Sequence, residues 1–219
     1  EAEPLFQRAL QIMEKIFGPE HLSTAMCLNN LALLNSDMGV PAAADELCQR
    51  ALLIVERTLG PEHPHTAAAL NNLATLYLES EQTEKAEPLV RRALAISEKV
   101  LGPDHRGTAA SLCKMAEIHR LKGQDESAER CYQRGLAIAE KALGMEHPDT
   151  ARSLSYLAEF YAGKGEPRKS EPLYQRALRI RESALGSSHR DTAQSLHDLA
   201  LVYRELGDTA KAEAFTRRS

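Results

Sequence analysis

The sequence has no tryptophan, and only 5% of its residues are aromatic. Ala, Leu, Glu, Arg and Lys abound instead, a helix-rich mixture, and no segment of consecutive Val, Ile or Thr reads as a strand. No apolar run approaches the roughly 20 residues a helix needs to cross a bilayer, so membrane insertion is not expected. An excess of basic residues is also missing. The formal net charge is −4, whereas nucleic-acid phosphates ask for a basic face, so nucleic acid is not an expected partner. The N-terminal residues show no signal-peptide pattern. Cys27, Cys48, Cys113 and Cys131 lack CxxC spacing, which reads as reduced, buried thiols in a cytoplasmic protein. With 43% hydrophobic and 26% charged residues, the composition is that of an ordered globular protein. At 219 residues it holds one or two ordinary domains, or one repeat array.

A repeat array is what the spacing shows. Gly18, Gly60, Gly102, Gly144 and Gly186 recur every 42 residues without insertion. Three residues after each stand His21, His63, His105, His147 and His189. Thr-Ala follows at Thr24-Ala25, Thr66-Ala67, Thr108-Ala109, Thr150-Ala151 and Thr192-Ala193. Leu28, Leu70, Leu112, Leu154 and Leu196 come next, then Ala32, Ala74, Ala116, Ala158 and Ala200.

Each unit reads as two helices. In the second unit, Leu70, Leu73, Ala74 and Tyr77 fall at i, i+3, i+4 and i+7, one face of a first helix from about Pro64 to Ser80. A second helix follows from about Thr83 to Leu101, with its own stripe through Ala86, Val90, Ala93, Leu94, Ile96 and Leu101. Gly39, Gly123, Gly165 and Gly207 end first helices, with Glu81 as the exception. Second helices end at the Gly of a Gly-Pro-x-His turn, where a left-handed residue is expected. Two helices cannot bury their apolar faces alone, so neighbouring units must stack. The expected fold is an all-α solenoid of stacked antiparallel helix pairs, one array over 1–219. Residues 1–21 form a partial repeat (second helix only), 22–63, 64–105, 106–147 and 148–189 are repeats, and 190–219 is a truncated final repeat. Neither end reads as a polar capping repeat, so a longer parent protein is expected, or self-association through exposed end repeats.

Leu70, Leu73, Ala74 and Tyr77 with Ala86, Val90 and Ala93 resemble the tetratricopeptide repeat signature. The 42-residue length, Leu70-Asn71-Asn72-Leu73-Ala74, Ala86-Glu87-Pro88-Leu89 and the Leu-Gly-Pro-x-His turn are similar to the kinesin light chain subclass. Similar arrays occur in nephrocystin-like proteins and as sensors of nucleotide-switch ATPases. The third to fifth units depart from the subclass, reading Leu112-Cys113-Lys114-Met115-Ala116, Leu154-Ser155-Tyr156-Leu157-Ala158 and Leu196-His197-Asp198-Leu199-Ala200. The resemblance implies a right-handed superhelix whose first helices line a concave groove for an extended peptide segment of a partner or cargo protein. It places Met26, Asn29, Asn30 and Leu33 in that groove, then Ala68, Asn71, Asn72 and Thr75, then Lys114 and Glu117, then Arg152 and Tyr156. Spacing supports the stripe independently, because Ala68, Asn72 and Thr75 fall at i, i+4 and i+7 beside the core stripe.

The chemistry open to these residues is recognition. A carboxamide both donates and accepts, so it matches the C=O and N–H of a peptide backbone. Asn29, Asn30, Asn71 and Asn72 either contact a ligand in this way or bond to neighbouring repeats and set the stacking. The periodic histidines are too far apart for a metal, since equivalent residues of stacked helices lie about 8–10 Å apart and zinc draws its ligands to about 2 Å. They are expected to cap first helices or pack on the preceding turn. Cys113 and His119 are six apart on one helix and face different ways. Glu117 and Glu159 recur in equivalent places on successive repeats, which without a closed pocket is not an acid/base pair, and the phosphate-loop pattern is absent. Neither an enzyme nor a cofactor is expected. Lys114, Arg120, Arg152 and Arg204 lie among Glu117, Glu159, Asp198 and Glu205. They read either as solvated surface with pairs such as Glu117 with Arg120, or as a basic centre for an acidic peptide. The resulting expectation is a non-catalytic, adaptor-like interaction module. The alternatives are the sensor or autoinhibitory array of a signalling ATPase, or a self-assembling scaffold.

Overall fold

The computed structural model describes residues 2–219, and the side chains of residues 4–36 and 38–219. Glu1 of the expected first partial repeat, and the side chains of Ala2 and Glu3 in its Ala-Glu-Pro-Leu motif, lie outside the described residues. Eleven α-helices and no strand are present among the described residues. They fall into two compact units, Glu1–Pro103 and Asp104–Ser219.

The first unit contains α1 (Ala2–Phe17), α2 (Leu22–Asp37), α3 (Pro41–Leu59), α4 (Pro64–Glu79) and α5 (Thr83–Val100). Each helix packs on the next, and the first helices α2 and α4 also touch. The second unit repeats this with α6 (Arg106–Leu121), α7 (Asp125–Leu143), α8 (Pro148–Gly163), α9 (Pro167–Leu185), α10 (Arg190–Glu205) and α11 (Thr209–Arg218). Here α6 and α8 are the first helices in contact.

The periodic residues divide into core and caps. Leu28, Leu70, Leu154 and Leu196 are fully buried, together with the small alanines that let backbones approach. In the first unit Ala67, Leu70, Ala93 and Ile96 form one cluster, and Ala25, Leu28, Ala51, Ile54 and Val55 another. The second unit repeats the scheme with Ala151, Leu154, Ala177 and Ile180. Removing such a leucine to alanine typically costs about 2–5 kcal/mol.

The histidines are N-caps. Nδ1 of His21, His63, His105, His147 and His189 accepts a hydrogen bond from the backbone N–H two residues on, at 3.0–3.1 Å. Such a bond satisfies one of the donors a helix start leaves open. Thr24, Thr66, Thr150 and Thr192 each donate at 2.8 Å to the carbonyl of the turn glycine six residues earlier. Thus the Gly-x-x-His-x-x-Thr spacing is one hydrogen-bonded turn. Its glycine differs from expectation. Gly60 ends α3 at φ 98, ψ 160, an extended positive-φ conformation open essentially to glycine, and not the left-handed helical one.

Partly exposed ion pairs join consecutive second helices within each unit. Arg50 pairs with Glu14, and Arg92 with Glu56, each at 2.6 Å. Arg176 with Glu140 and Arg218 with Glu182 continue the series in the second unit.

Candidate functional site

Beside the core stripe, first helices carry a second stripe of exposed and half-buried residues. On α2, Met26 is 68% exposed and Leu33 48%, with Asn30 exposed between them. Ala68 on α4 is exposed, and Asn72 and Thr75 are half-buried. The four asparagines separate by depth. Asn30 and Asn72 lie on the open stripe, whereas Asn71 is only 7% exposed and Asn29 is half-buried. Among the described residues, Oδ1 of Asn29 has no hydrogen-bond partner. Thr75 donates to the Asn71 carbonyl at 2.9 Å, which ties its hydroxyl to its own helix. This part of the face is uncharged: two apolar side chains, two amides and a methyl.

Charge dominates the second unit. Glu117 on α6 receives Arg120 at 2.5 and 2.9 Å and the Tyr132 hydroxyl at 2.9 Å. Burial works against its charge, but these hydrogen bonds outweigh it and hold the carboxyl below its usual range. Lys114 is half-buried on the same helix. On α8, Arg152 is exposed and pairs with Asp149 at 2.9 Å, and Tyr156 is 41% exposed. Two of the four cations of the expected basic centre, Arg120 and Arg152, are therefore each held by a carboxylate within their own helix. Loss of water, then the nearby Glu117 charge, raises the carboxyl of Glu159, and burial raises that of Asp198 against a hydrogen bond from Gln194.

Arg181 is a buried charge on a second helix that the spacing did not single out. It is 7% exposed on α9, and its Nη1 donates to Ser195 Oγ and, at 3.3 Å, to the Asp191 carbonyl, both on α10. Burial lowers its pKa; the charges that bear on it are Asp191 and Asp198 of α10, and Tyr156 and Arg152 of α8. The equivalent residues in earlier repeats are Val55, Ser97 and Ala139, all buried. A guanidinium in a buried column was the available signal.

Nucleophilic chemistry has little to work with here. Burial, only partly opposed by Arg152, Lys114 and a hydrogen bond with Ser153, pushes the Cys113 thiol up to about 11. His119 is engaged with Gln124 at 2.6 Å, and His65 stacks on His63.

The model of the tetratricopeptide repeat matches residues 1–47, 36–99, 81–141 and 142–219. The chain belongs to the tetratricopeptide repeat family. Among solved structures, this repeat protein is similar to a kinesin light chain-type protein of nearly identical TPR-like repeats from Podosopora anserina. That match has 28% identity and TM-score 0.68, and covers 90% of this chain and 94% of the other. BtubC (BKLC) from P. vanneervenii shares the fold at 22% identity and TM-score 0.76, covering 99% and 86%. A signal transduction ATPase with numerous domains and a tetratricopeptide repeat sensor, from Pyrococcus horikoshii, matches at 20% identity and TM-score 0.72. It covers 98% of this chain and 30% of that one. The curated proteins contain no match. As a tetratricopeptide repeat chain with kinesin light chain-like neighbours, the molecule is a protein-interaction repeat module. No helix among the described residues is long and apolar enough to cross a membrane.

Proposed function

We propose that the first-helix face of each unit binds a short, extended segment of another protein, without catalysis, as an adaptor of the kinesin light chain-like kind. One observation carries this reading: Met26, Asn30 and Leu33 on α2 and Ala68 on α4 are exposed beside the core stripe, with Asn72 half-buried next to them. Exposed Met and Leu beside free-standing amides suit a peptide, whose apolar side chains bury against the former while its backbone pairs with the latter. In the second unit, Lys114, Glu117, Arg152 and Tyr156 would choose among side chains. Free thiols support a cytoplasmic location.

The test is selection of extended peptides on the intact chain, then comparison with Asn30→Ala plus Asn72→Ala. Each amide bond is worth roughly 0.5–1.5 kcal/mol, so the double variant should weaken selected peptides by roughly 5- to 150-fold. Unchanged affinity across the selected set sinks the proposal.

A second reading is self-association, supported by α1, where Leu5, Ile12, Ile16 and Phe17 are 46–68% exposed. Light scattering across a concentration series separates the two readings: a strict monomer removes this one.

A further inference from the structure

One stripe of a second helix packs on the first helix that precedes it. Leu89, Ala93 and Ile96 of α5 cluster with Ala67 and Leu70 of α4, and Leu173, Ala177 and Ile180 of α9 with Ala151 and Leu154 of α8. The corresponding stripe of α1 is Leu5, Ala9, Ile12 and Ile16. Among the described residues nothing buries it: Leu5 is 68% exposed, Ile12 46% and Ile16 66%. Ile54, Ile96, Ile138 and Ile180, the counterparts of Ile12, are all buried. Ile16 distinguishes what can cover this stripe. Its counterparts Thr58, Val100, Ala142 and Ala184 are smaller, and all four stay exposed although a first helix packs on each of their helices. A first helix laid on α1 in the same way would therefore leave Ile16, the largest side chain of its column, in water.

We propose that a second copy of the chain covers this stripe, α1 packing antiparallel on α1 about a two-fold axis. Residues 5, 9, 12 and 16 have the alternating four-and-three spacing of a coiled-coil seam, and the spacing is symmetric about its midpoint. Antiparallel pairing sets Leu5 of one copy against Ile16 of the other, and Ala9 against Ile12. The centre thus opposes small to large, which lets the helices approach, and the ends close with two large side chains. Such a contact uses the same patch on both copies and closes on itself. Head-to-tail contact has no equivalent match, because α11 exposes Thr209, Lys211, Glu213, Arg217 and Arg218. This pairing rests on the self-association reading above and gives it a partner, an axis and a register. It is independent of the peptide-binding reading.

Sedimentation equilibrium of the whole chain over a concentration series should show a monomer–dimer equilibrium. The axis uses every residue twice, so Ile16→Ala should raise the dimer Kd by roughly 100-fold. Val100→Ala, at the same place on α5, should leave it unchanged. Ile16 is exposed, so the Ile16→Ala chain should keep its helical circular dichroism. Disulfide trapping reads the register. In the antiparallel pair Leu5 lies roughly 16 Å along the axis from its own copy, beyond the roughly 7 Å between Cα atoms that a disulfide spans. A mixture of Leu5→Cys and Ile16→Cys chains should therefore cross-link on mild oxidation, whereas either alone should not. The parent chain, with its four cysteines, is the blank. A monomer throughout overturns this pairing and the self-association reading together. A dimer whose Kd ignores Ile16→Ala, or in which Leu5→Cys cross-links with itself, overturns the two-fold α1 seam and leaves self-association through another face.

Discussion

Tyr203 on α10 donates its hydroxyl hydrogen to Glu171 Oε1 on α9 at 2.7 Å, and Gln175 donates to the same phenolic oxygen at 2.7 Å. One repeat's second helix is thereby clipped to the next repeat's first helix. Tyr161 with Glu129 and Gln133, and Tyr77 with Asp45 and Gln49, make the same clip. At the next position of the series His119 replaces tyrosine, Arg91 replaces glutamine, and Arg91 pairs with Glu87 inside α5 at 2.6 Å. Tyr161→Phe and Tyr203→Phe should each lower stability by about 1–2 kcal/mol, because a hydrogen bond to a charged acceptor is lost while the ring remains. Urea unfolding of each variant measures it; a change below a few tenths of a kcal/mol would show the clip to be idle.

Glu81 has φ 58, whereas its counterparts Gly39, Gly123, Gly165 and Gly207 hold φ from 69 to 79. A side chain in the left-handed region costs about 1–2 kcal/mol, and glycine's greater freedom when unfolded takes back about half of that. Glu81→Gly should therefore stabilise the chain by about 0.5–1 kcal/mol. Gly123→Ala should destabilise it by about as much. Matched thermal melts of the two variants check both signs, and a destabilised Glu81→Gly would refute the strain argument.

Much of this architecture was legible because the repeat holds one residue type per structural duty. The turn Gly, capping His and Thr, and core Leu and Ala announce themselves by period, and the Pro64 and Thr83 helices end within one residue of where spacing put them. What spacing could not separate is depth beside the core stripe. Asn71 and Asn72 are adjacent, about 100° apart around α4, and only the packing of neighbouring helices decides that the first is buried. Tyr77 reads as a core residue from its stripe, yet its hydroxyl, like those of Tyr161 and Tyr203, reaches across to another helix. Arg181 escaped notice because it stands alone in its column, and a period reveals only what recurs.

The carboxyls of Glu117 and Glu159 make opposite predictions for pH. Glu117 lies below its reference value of 4.5, so its contribution is present above that value and is lost as pH falls through its lower folded value. Glu159 lies above 4.5, so its ionisation weakens the fold at neutral pH, and protonation on acidifying removes that penalty. Glu117→Gln should lower Tm at neutral pH by the equivalent of about 1 kcal/mol, with the difference closing as pH falls below 4.5 through its lower folded value. Glu159→Gln should raise Tm at neutral pH, and that gain should shrink as pH approaches 4.5. Melts of both variants from neutral to acid pH test the two signs separately.

Gly135 sits inside α7 where the other repeats carry Ala51, Ala93 and Ala177. A Cβ there would stand 3.1 Å from Cys113 Sγ and 3.5 Å from the Ala109 carbonyl. Alanine in a helix interior is favoured over glycine by about 0.8–1.0 kcal/mol, but a crowded core gives that back through strain. In the following repeat the corresponding pair is Ser155 with Ala177, a smaller side chain facing the larger helix residue. Gly135→Ala alone should thus be nearly neutral or destabilising, whereas Gly135→Ala with Cys113→Ser should recover most of the helical gain. The double-mutant cycle should show a coupling of about 0.5–1 kcal/mol in favour of the pair. Additive single effects would mean that the cysteine sulfur moves aside freely, and that Gly135 is not there to make room for it.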